Sequence, residues 1–378
     1  MQLALREMRR AKVRFGLLAS AVGLLVFLIL FQQALLNGLT TDFVGAVDNS
    51  DNPILVLNEQ ARANIEGSFL LPDQVAAIGE LDGVAATSTV GENTFTATTP
   101  VEPEPLDVVL FGYPLDGLGG PTSLSSGRLP EAAREGVASA ADAGKGFAIG
   151  DTVTIVGEAE DVDITIVGLA DEARWSVAPT VFVSYDTFEE SIRAVNPDAR
   201  LVLPSFVSVQ PAPGVDVDAL TDRIDQAVPG VESLTRSETI DQNPGVAGTR
   251  QSFNIILTLA FLVVVIVVGF FFLILTVQKS KSLTLLRAIG SPRSYLVKNL
   301  LAQIGLVLAL GFIIGVGLTV FAIGAAPIGD VSISVSPRTI ATTLVGIAVL
   351  SVIGGIGAIR RVLGIDPIEA TEPGGQGT

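Results

Sequence analysis

The sequence predicts an α-helical membrane protein with four transmembrane helices and an α+β extracytoplasmic domain inserted between helices 1 and 2. Three observations support this class. Hydrophobic residues make up 49% of the chain, and the mean hydropathy is positive, as expected for a membrane protein rather than a soluble one. Four long apolar stretches carry no formal charge: Phe15–Leu36, Ser252–Gln278, Leu300–Ile328 and Thr339–Ile359. Short β-branched runs fill the segment between the first and second stretches.

The four apolar stretches are long enough to cross a bilayer. About 20 apolar residues span the hydrocarbon core, where every backbone polar group must be bonded within its own segment. A soluble protein would need a very large core to bury four such runs. We therefore predict transmembrane helices at residues 15–37, 252–278, 294–328 and 339–359.

The first stretch could instead be a cleaved signal peptide, because it follows a basic segment. However, its uncharged run from Phe15 to Leu36 exceeds the usual apolar region of about 7–15 residues. The sequence that follows, ALLNGLTTDF, lacks a small-x-small cleavage site. A retained anchor is therefore predicted.

The basic residues predict the orientation, because loops rich in Lys and Arg stay in the cytoplasm. The three basic clusters are Arg6, Arg9, Arg10, Lys12 and Arg14; Lys279, Lys281, Arg287, Arg293 and Lys298; and Arg360 and Arg361. With all three on one side, residues 1–14 and 360–378 are cytoplasmic, and residues 38–251 and an outer loop at 329–338 lie outside. This topology is that of a multi-pass plasma-membrane protein.

The charge balance agrees with this topology. The cytoplasmic segments contain 12 of the 23 basic residues but only four of the 39 acidic ones, which leaves 11 basic and 35 acidic residues outside. Such an acidic surface repels nucleic acid, so none is expected as a partner. The chain has no Cys and no His, which excludes a disulfide, a thiolate metal site and a cysteine nucleophile. No metal site is predicted.

The outer domain alternates strand and helix signals. Short β-branched runs bounded by Gly, Asp and Pro predict strands; they are ILVL at 54, DVVLFG at 107, DTVTIVG at 151, VDITIVG at 162, PTVFVSY at 179 and SFVSVQ at 205. Helices are predicted from Pro72 and from Val217, each followed by a Gly turn and a strand. The repeated order suggests two related α/β units flanking a β-rich insertion at about 100–200.

No catalytic motif is found in the chain. Gly144-Lys145-Gly146 lacks the Ser or Thr that a Walker phosphate loop needs after its lysine. No His is available to activate a serine, and no Ser-x-x-Lys pair occurs. We predict a non-catalytic transmembrane subunit without an intrinsic cofactor.

The cytoplasmic segment between the second and third spans predicts a short amphipathic helix at 279–293. In TVQKSKSLTLLRAIGSPRSYLVK, apolar residues follow helical spacing until Gly290 and Pro292. Two roles stay open from the residues alone. The helix could dock on a partner, or it could lie on the membrane surface with Lys279, Lys281 and Arg287 on anionic headgroups.

The pattern QKxxxLxxLRAIG before a span and the terminal RRVLGIDPIEA resemble the signature of FtsX-like, MacB-type ABC permeases, and the resemblance covers nearly the whole chain. It implies that the loop is a coupling helix docking on an ABC ATPase subunit. By position, the coupling residues would be Lys281, Leu285, Leu286, Arg287, Ala288, Ile289, Gly290, Asp366, Pro367, Glu369 and Ala370. Many relatives carry Arg-Glu where this chain has Lys281-Ser282.

The resemblance also implies partners. Two copies of the permease would assemble with two ATPase subunits, which hold ATP and Mg²⁺. Small residues in spans three and four permit close helix packing in lipid, either between two copies or within one chain. They include Gly305, Gly311, Gly315, Gly317, Gly354, Gly355 and Gly357.

A narrower resemblance links the N-terminal REMRRAKVRFGLLASAVGLLVFLILFQQALLNGL and the QKSKSLTLLRAIG loop to DevC/HrtB-like permeases, including haem-efflux permeases. It implies haem as a transported substrate, entering from lipid near the outer ends of spans one and two. Polar candidates for binding it are Gln32, Gln33, Asn37, Asp42, Arg250, Gln251 and Asn254.

The residues also allow plainer roles. Arg250 could pair with a haem propionate or anchor the span at the interface. Gln32 and Gln33 could instead bond between helices. Without His or Cys, and with Met only at positions 1 and 8, iron would need a carboxylate, a tyrosine or no protein ligand.

Two other functions stay open for this architecture. It could export peptide or lipid-linked cargo, or it could move nothing and transmit force to an outer partner. All of these readings require a separate ATPase, because the chain has no Walker motif.

Overall fold

The computed structural model describes residues 12–288 except 103 and 159, then 293–325, 333 and 335–363. The chain divides into two compact units, which are described separately. The outer unit comprises residues 38–250. The helical unit comprises the described residues 12–37, 251–288, 293–325, 333 and 335–363.

Four long helices are present in the described part of the chain. They are α1 (Lys12–Asp48), α6 (Pro244–Ala288), α7 (Arg293–Ala325) and α8 (Pro337–Leu363). By length and composition, each contains a stretch that could cross a membrane: Phe15–Asp48, Pro244–Phe270, Leu301–Gly324 and Pro337–Gly354. These stretches correspond in order to the four predicted spans. The helices themselves extend past the predicted bounds of the first, second and fourth spans at both ends.

One predicted boundary is wrong. A separate amphipathic helix was predicted at 279–293, but residues 279–288 are the last turns of α6, which continues without a break from Pro244. Residues 289–292 lie outside the described residues, and Arg293 already belongs to α7. The polar run QKSKS is compatible with a continuing helix because Lys and Gln are good helix formers.

Glycines set the packing within the helical unit. A Cβ on Gly315 of α7 would lie 2.5 Å from Val26 Cγ1 and 2.8 Å from the Gly23 oxygen, both on α1. A Cβ on Gly354 of α8 would lie 2.6 Å from the Val265 oxygen on α6. Such close approach requires residues without a side chain. Gly311, Gly315 and Gly354 therefore serve packing within one chain.

The outer unit is built on ten strands among its described residues. They are β1 (Ile54–Asn58), β2 (Val84–Thr98), β3 (Leu106–Tyr113), β4 (Leu124–Gly127), β5 (Glu135–Ser139), β6 (Thr152–Ile155), β7 (Val162–Ala170), β8 (Thr180–Ser184), β9 (Phe206–Pro211) and β10 (Val231–Thr235). Four short helices accompany them: α2 (Pro72–Gly79), α3 (Tyr185–Val195), α4 (Val217–Ala227) and α5 (Arg236–Gln242). The strand order is β10-β1-β9-β2-β3-β8-β5-β7-β4, and β6 pairs with both β2 and β7.

The two predicted α/β units combine into one half of the sheet, which consists of β10, β1, β9 and the first half of β2. β1 pairs with β9 and β10, and β9 pairs with the first half of β2. Apolar residues from α2 and α4, such as Ile78, Leu220 and Ile224, pack on this half in one buried cluster. The flanking segments thus interleave rather than forming separate units.

The β-rich insertion closes into a barrel, which we call the barrel half. The second half of β2 pairs with β3, and pairing then runs through β8, β5, β7 and β6 back to β2. Its interior holds a buried apolar cluster that includes Phe95, Phe147 and Phe188. Closing the ring leaves fewer free strand edges.

A second buried cluster of the outer unit includes the ends of two long helices. It joins Val44 and Val47 of α1 and Val246 of α6 to residues of both sheet halves, including Phe111 and Trp175. The start of α6 is defined locally: Asn243 accepts hydrogen bonds from the amides of Gly245 and Val246, and Pro244 suits the first helical turn. Both helix ends are therefore part of the core of the outer unit.

Candidate functional site

The predicted coupling residues lie at the end of α6 where they are described. Lys281, Leu285, Leu286, Arg287 and Ala288 occupy its last turns. The other predicted coupling residues lie outside the described residues; they are Ile289, Gly290, Asp366, Pro367, Glu369 and Ala370. The helix that carries the first group also carries Val246, which is buried in the outer unit.

The predicted substrate residues are divided between the two units. Gln32, Gln33, Asn37, Gln251 and Asn254 belong to the helical unit, whereas Asp42 and Arg250 belong to the outer unit.

Within the helical unit, the two glutamines bond between helices. Gln32, 8% exposed, donates from Nε2 to the Phe253 oxygen of α6 at 3.0 Å. Gln33 Oε1 accepts from Thr343 Oγ1 of α8 at 2.8 Å. Asn37, Gln251 and Asn254 are exposed. Both glutamines thus make interhelical hydrogen bonds, and their role in binding a substrate stays a prediction.

Arg250 is already paired within the outer unit. Its Nη1 forms an ion pair with Asp241 of α5, and its side chain is 38% exposed. A carboxylate ligand at Arg250 would therefore have to compete with Asp241.

Asp42 belongs to a buried ion network that the sequence did not reveal. Arg174 donates from Nε to Asp142 Oδ2 at 2.8 Å, and its Nη2 pairs with Oδ1 of the same carboxylate. Arg174 Nη1 lies 3.6 Å from Asp42 Oδ2, and Lys145 Nζ lies 3.5 Å from Asp142 Oδ1. The side chains of Asp42, Asp142 and Arg174 are at most 3% exposed. Opposite charges are thus paired in this network, as buried charges require.

The segment that carries Arg174 also holds the end of α1, and we call residues 172–177 the clasp. Although Ala46 lies within α1, its amide donates a hydrogen bond to the Arg174 carbonyl at 2.9 Å. The clasp amides of Ser176 and Val177 donate to the carbonyls of Phe43 and Asp42, at 3.0 and 2.9 Å.

Gly45 allows this contact. A Cβ at Gly45 would lie 2.2 Å from the Glu172 carbonyl oxygen, so no larger residue fits. Asn49 adds a side-chain hydrogen bond to the same oxygen at 2.8 Å. The sequence alone does not indicate this role, because Gly45 stands in an apolar run without any turn signal.

A buried glutamate lies in the same outer unit. Glu92 of β2 is 7% exposed, and its Oε1 has no hydrogen-bond partner. Burial, and secondly the charge of Glu66, raise the pKa of Glu92 from 4.5 to about 8. The carboxyl is thus largely protonated at neutral pH.

Four apolar helices with a large α+β domain after the first are the architecture of a multi-pass membrane protein, and two family models match it. The MacB-like periplasmic core domain matches residues 15–227, more than half of the chain, and the FtsX-like permease C-terminal domain matches residues 254–367. The chain belongs to the MacB/FtsX-type family of ABC transporter permeases. This family is normally non-catalytic, and a permease of this type implies an ATPase partner. The helices and the MacB-like domain fit a multi-pass plasma-membrane protein.

Two relatives are similar to this chain over nearly their whole length, and only one of them is named for a substrate. "Putative hemin transport system permease protein HrtB" of Staphylococcus haemolyticus is 23% identical over 370 residues, covering 98% of this chain and 99% of the relative. An uncharacterized ABC transporter permease of Mycobacterium tuberculosis is 24% identical over 376 residues, covering 97% and 98%.

Two solved structures are similar to part of the chain. The extracellular domain of the noncanonic ABC-type transporter YknZ from Gram-positive bacteria has a TM-score of 0.34 and 16% identity, covering 48% of this chain and 99% of that domain. The periplasmic region of MacB from Actinobacillus actinomycetemcomitans has a TM-score of 0.35 and 11% identity, covering 51% and 91%.

Proposed function

We propose that the protein is the permease subunit of a MacB-type ABC efflux system that exports a hydrophobic or amphipathic substrate, with haem as the first candidate. The observation that carries the proposal is the continuity of α6. This single helix of 45 residues is about 68 Å long at a rise of 1.5 Å per residue. It contains both the candidate coupling residues at its end and Val246 in the core of the outer unit.

The mechanism needs no covalent chemistry in this chain. ATP and Mg²⁺ bind to the partner ATPase, whose closure displaces the last turns of α6. A continuous helix transmits an axial or tilting movement along its length, because its backbone hydrogen bonds resist local deformation. The buried start of α6 then moves residues of the outer unit. Two permease copies and two ATPase copies are the assembly we propose.

The orientation follows from the basic clusters. Lys and Arg near the span ends stay on the cytoplasmic side, so both termini and the end of α6 are cytoplasmic in this proposal. The outer unit is then extracytoplasmic and in contact with the aqueous phase, which suits its excess of acidic residues.

Haem as substrate is supported by the HrtB relatives and by the chemistry available. Since the chain has neither His nor Cys, strong axial ligation is not expected, which suits a cargo that must be released. A propionate could pair with Arg250 by replacing Asp241, because guanidinium groups bind carboxylates with two parallel hydrogen bonds.

The coupling step is tested with Leu286→Asp in the full-length chain expressed with its ATPase. A charge on the apolar docking face should abolish co-purification of the ATPase and the ATP hydrolysis of the complex. Ser282→Glu is the matched control, since it adds the same charge nearby at a position where many relatives carry Glu. Full ATPase association and activity in Leu286→Asp would contradict the coupling role of this segment.

The substrate is tested by optical titration of the complex with haem, alongside ATP hydrolysis. We expect saturable haem binding that changes ATP turnover. Because a charge-assisted hydrogen bond contributes about 1.5–3 kcal/mol, Arg250→Ala should weaken binding about tenfold or more, whereas Asp241→Asn should tighten it. Gln33→Ala should weaken binding if that side chain contacts haem.

Three outcomes separate the alternatives. Unchanged haem binding in Arg250→Ala and Gln33→Ala would show that the candidate residues are wrong. An active complex indifferent to haem would favour peptide or lipid-linked cargo, or force transmission to an outer partner. Arg193→Ala, a distant surface substitution, controls for general charge effects.

A further inference from the structure

The clasp is bonded to the end of α1 through backbone hydrogen bonds. Three backbone hydrogen bonds cross between residues 42–46 and the clasp, and one of them is donated by the amide of Ala46, which lies within α1. Backbone hydrogen bonds fix the distance between the two segments more closely than apolar side-chain contact does. The end of α1 is thus bonded to the clasp through its backbone, which the absence of a side chain at Gly45 permits.

The clasp is held in conformations that side chains rarely adopt. Glu172, Ser176 and Val177 have positive φ angles of 47°, 49° and 62°. A β-branched residue in this region is strained, and such strain persists only where surrounding contacts over-determine it. The hydrogen bond from the Val177 amide to the Asp42 oxygen, at 2.9 Å, is one of those contacts.

Trp175 anchors the centre of the clasp in the barrel half. It is 1% exposed, and its ring meets that of Phe111 of β3 edge to face at a centroid distance of 5.7 Å. Its amide donates to Thr180 Oγ1 of β8 at 2.8 Å. Large buried aromatic pairs of this kind resist displacement.

The ion network ties the same two parts together. Asp142, which follows β5, holds the Arg174 guanidinium with both carboxylate oxygens, so Arg174 is fixed to the barrel half. Its Nη1 lies 3.6 Å from Oδ2 of Asp42 on α1. A planar guanidinium held at one edge presents its other nitrogens in a defined direction.

We infer that Arg174 is a positioning residue that makes the end of α1 and the barrel half one rigid body, so that movement of α1 is passed to the barrel without loss. This inference rests on the proposed function in assuming that ATP turnover moves the long helices, and it adds that α1 moves together with α6. The rigidity itself is a property of the outer unit and can be measured without nucleotide.

The test uses spin labels on the full-length complex. The chain contains no cysteine, so Asp48→Cys at the end of α1 and Thr165→Cys in β7 supply its only thiols; both positions are exposed. A cysteine-free ATPase is used, and labelled chain is diluted with unlabelled chain so that the distance within one permease copy is measured. The inter-label distance distribution is measured without nucleotide and with ATP, while ATP hydrolysis reports that the ATPase is engaged. We expect one narrow distribution, the same in both conditions.

Three variants define the role of the charges. Arg174→Gln should broaden the distribution at least about twofold and make it respond to ATP, while Arg174→Lys should restore part of the narrow distribution. Asp42→Asn leaves the Arg174–Asp142 pair intact and should broaden the distribution less, and it serves as the test if Arg174→Gln does not fold. Arg134→Gln removes an exposed ion pair with Glu190 on the same barrel half and should change nothing.

Two results would overturn the inference. One is a distance that changes with ATP in the chain carrying only the labels; the other is a distribution that stays equally narrow in Arg174→Gln and Asp42→Asn. A labelled complex without ATP hydrolysis would count against the proposed function instead. The distance distributions of the variants, measured without nucleotide, would then still show whether Arg174 holds the end of α1 rigidly to the barrel half.

Discussion

The helical unit and the outer unit bury different kinds of polar group. Among the described residues of the helical unit, the buried polar side chains are all neutral: Gln32, Gln303, Thr319, Thr343 and Ser351. The outer unit buries charged or ionisable groups as well, among them Asp42, Asp142, Arg174 and Glu92.

The difference follows from the solvent that each unit faces. A charge in the hydrocarbon core is costly wherever it cannot find a partner, so a membrane unit uses close backbone contact and neutral hydrogen bonds. In the outer unit, loops such as the clasp can supply complete partners for buried ions. The helical unit should therefore be most sensitive to side-chain volume, and the outer unit to changes of charge.

The largest effect is expected from volume in the helical unit. Gly315→Leu would force a side chain against Val26 and the Gly23 backbone, where even a Cβ is too close. We expect a loss of about 3 kcal/mol or more, seen as poor recovery of monodisperse protein and a lowered Tm in detergent. Gly317→Leu, two residues along the same helix with nothing within 4 Å, should retain both. Equal recovery and equal Tm of the two variants would contradict the expectation that the helical unit is most sensitive to side-chain volume.

An intermediate effect is expected from a buried acid in the outer unit. The folded-state pKa of Glu92, about 8, lies above its ordinary value of 4.5. The contribution of the protonated Glu92 carboxyl to the free energy of unfolding is therefore complete below about pH 4.5, and it is lost as the pH rises toward 8. Glu92→Gln should match the unsubstituted protein at low pH and exceed its stability by roughly 3 kcal/mol at pH 7.

This prediction is checked by thermal unfolding of the full chain between pH 4 and 9. Glu104→Gln, at an exposed glutamate, should give a difference that does not grow with pH. A flat difference for Glu92→Gln as well would mean that Glu92 is ionised in the folded protein without penalty.

The smallest effect is expected from surface charge. Arg193 pairs with Glu189 one turn earlier on α3 at 2.9 Å, and its side chain is 49% exposed. Arg193→Gln should cost about 0.5 kcal/mol or less, because exposed pairs are screened by water and salt. A larger loss of unfolding free energy would show that charge sensitivity in the outer unit is not confined to buried groups.

The parts predicted from sequence are those with a strong local pattern. The four apolar helices follow from length and charge, and the helices at Pro72 and Val217 follow from their caps and periodicity. The alternating strands β6 and β7 also have clear signals. In contrast, β4 and β5 have the sequences LSSG and EGVAS, whose small residues favour no element.

Features that depend on distant residues could not be predicted. Asp42, Asp142 and Arg174 are widely separated in sequence, so no spacing links them. The continuity of α6 was missed because a polar segment after an apolar one was interpreted as a new element. The pairing of Arg250 with Asp241 had a local clue, since only eight residues separate them, but α5 between β10 and α6 was not predicted.

The strand order also has a consequence for biosynthesis. Every pairing that closes the barrel ring lies between Gly91 and Ser184, whereas β1 must wait for β9, from Phe206, and β10, from Val231. As chains are made from the N-terminus, the barrel can close while β1 still has two unpaired edges. β1 has the apolar sequence ILVLN, and such edges promote aggregation. A nascent chain that stalls before Phe206 should therefore be a substrate for chaperones or proteases, although its barrel is complete.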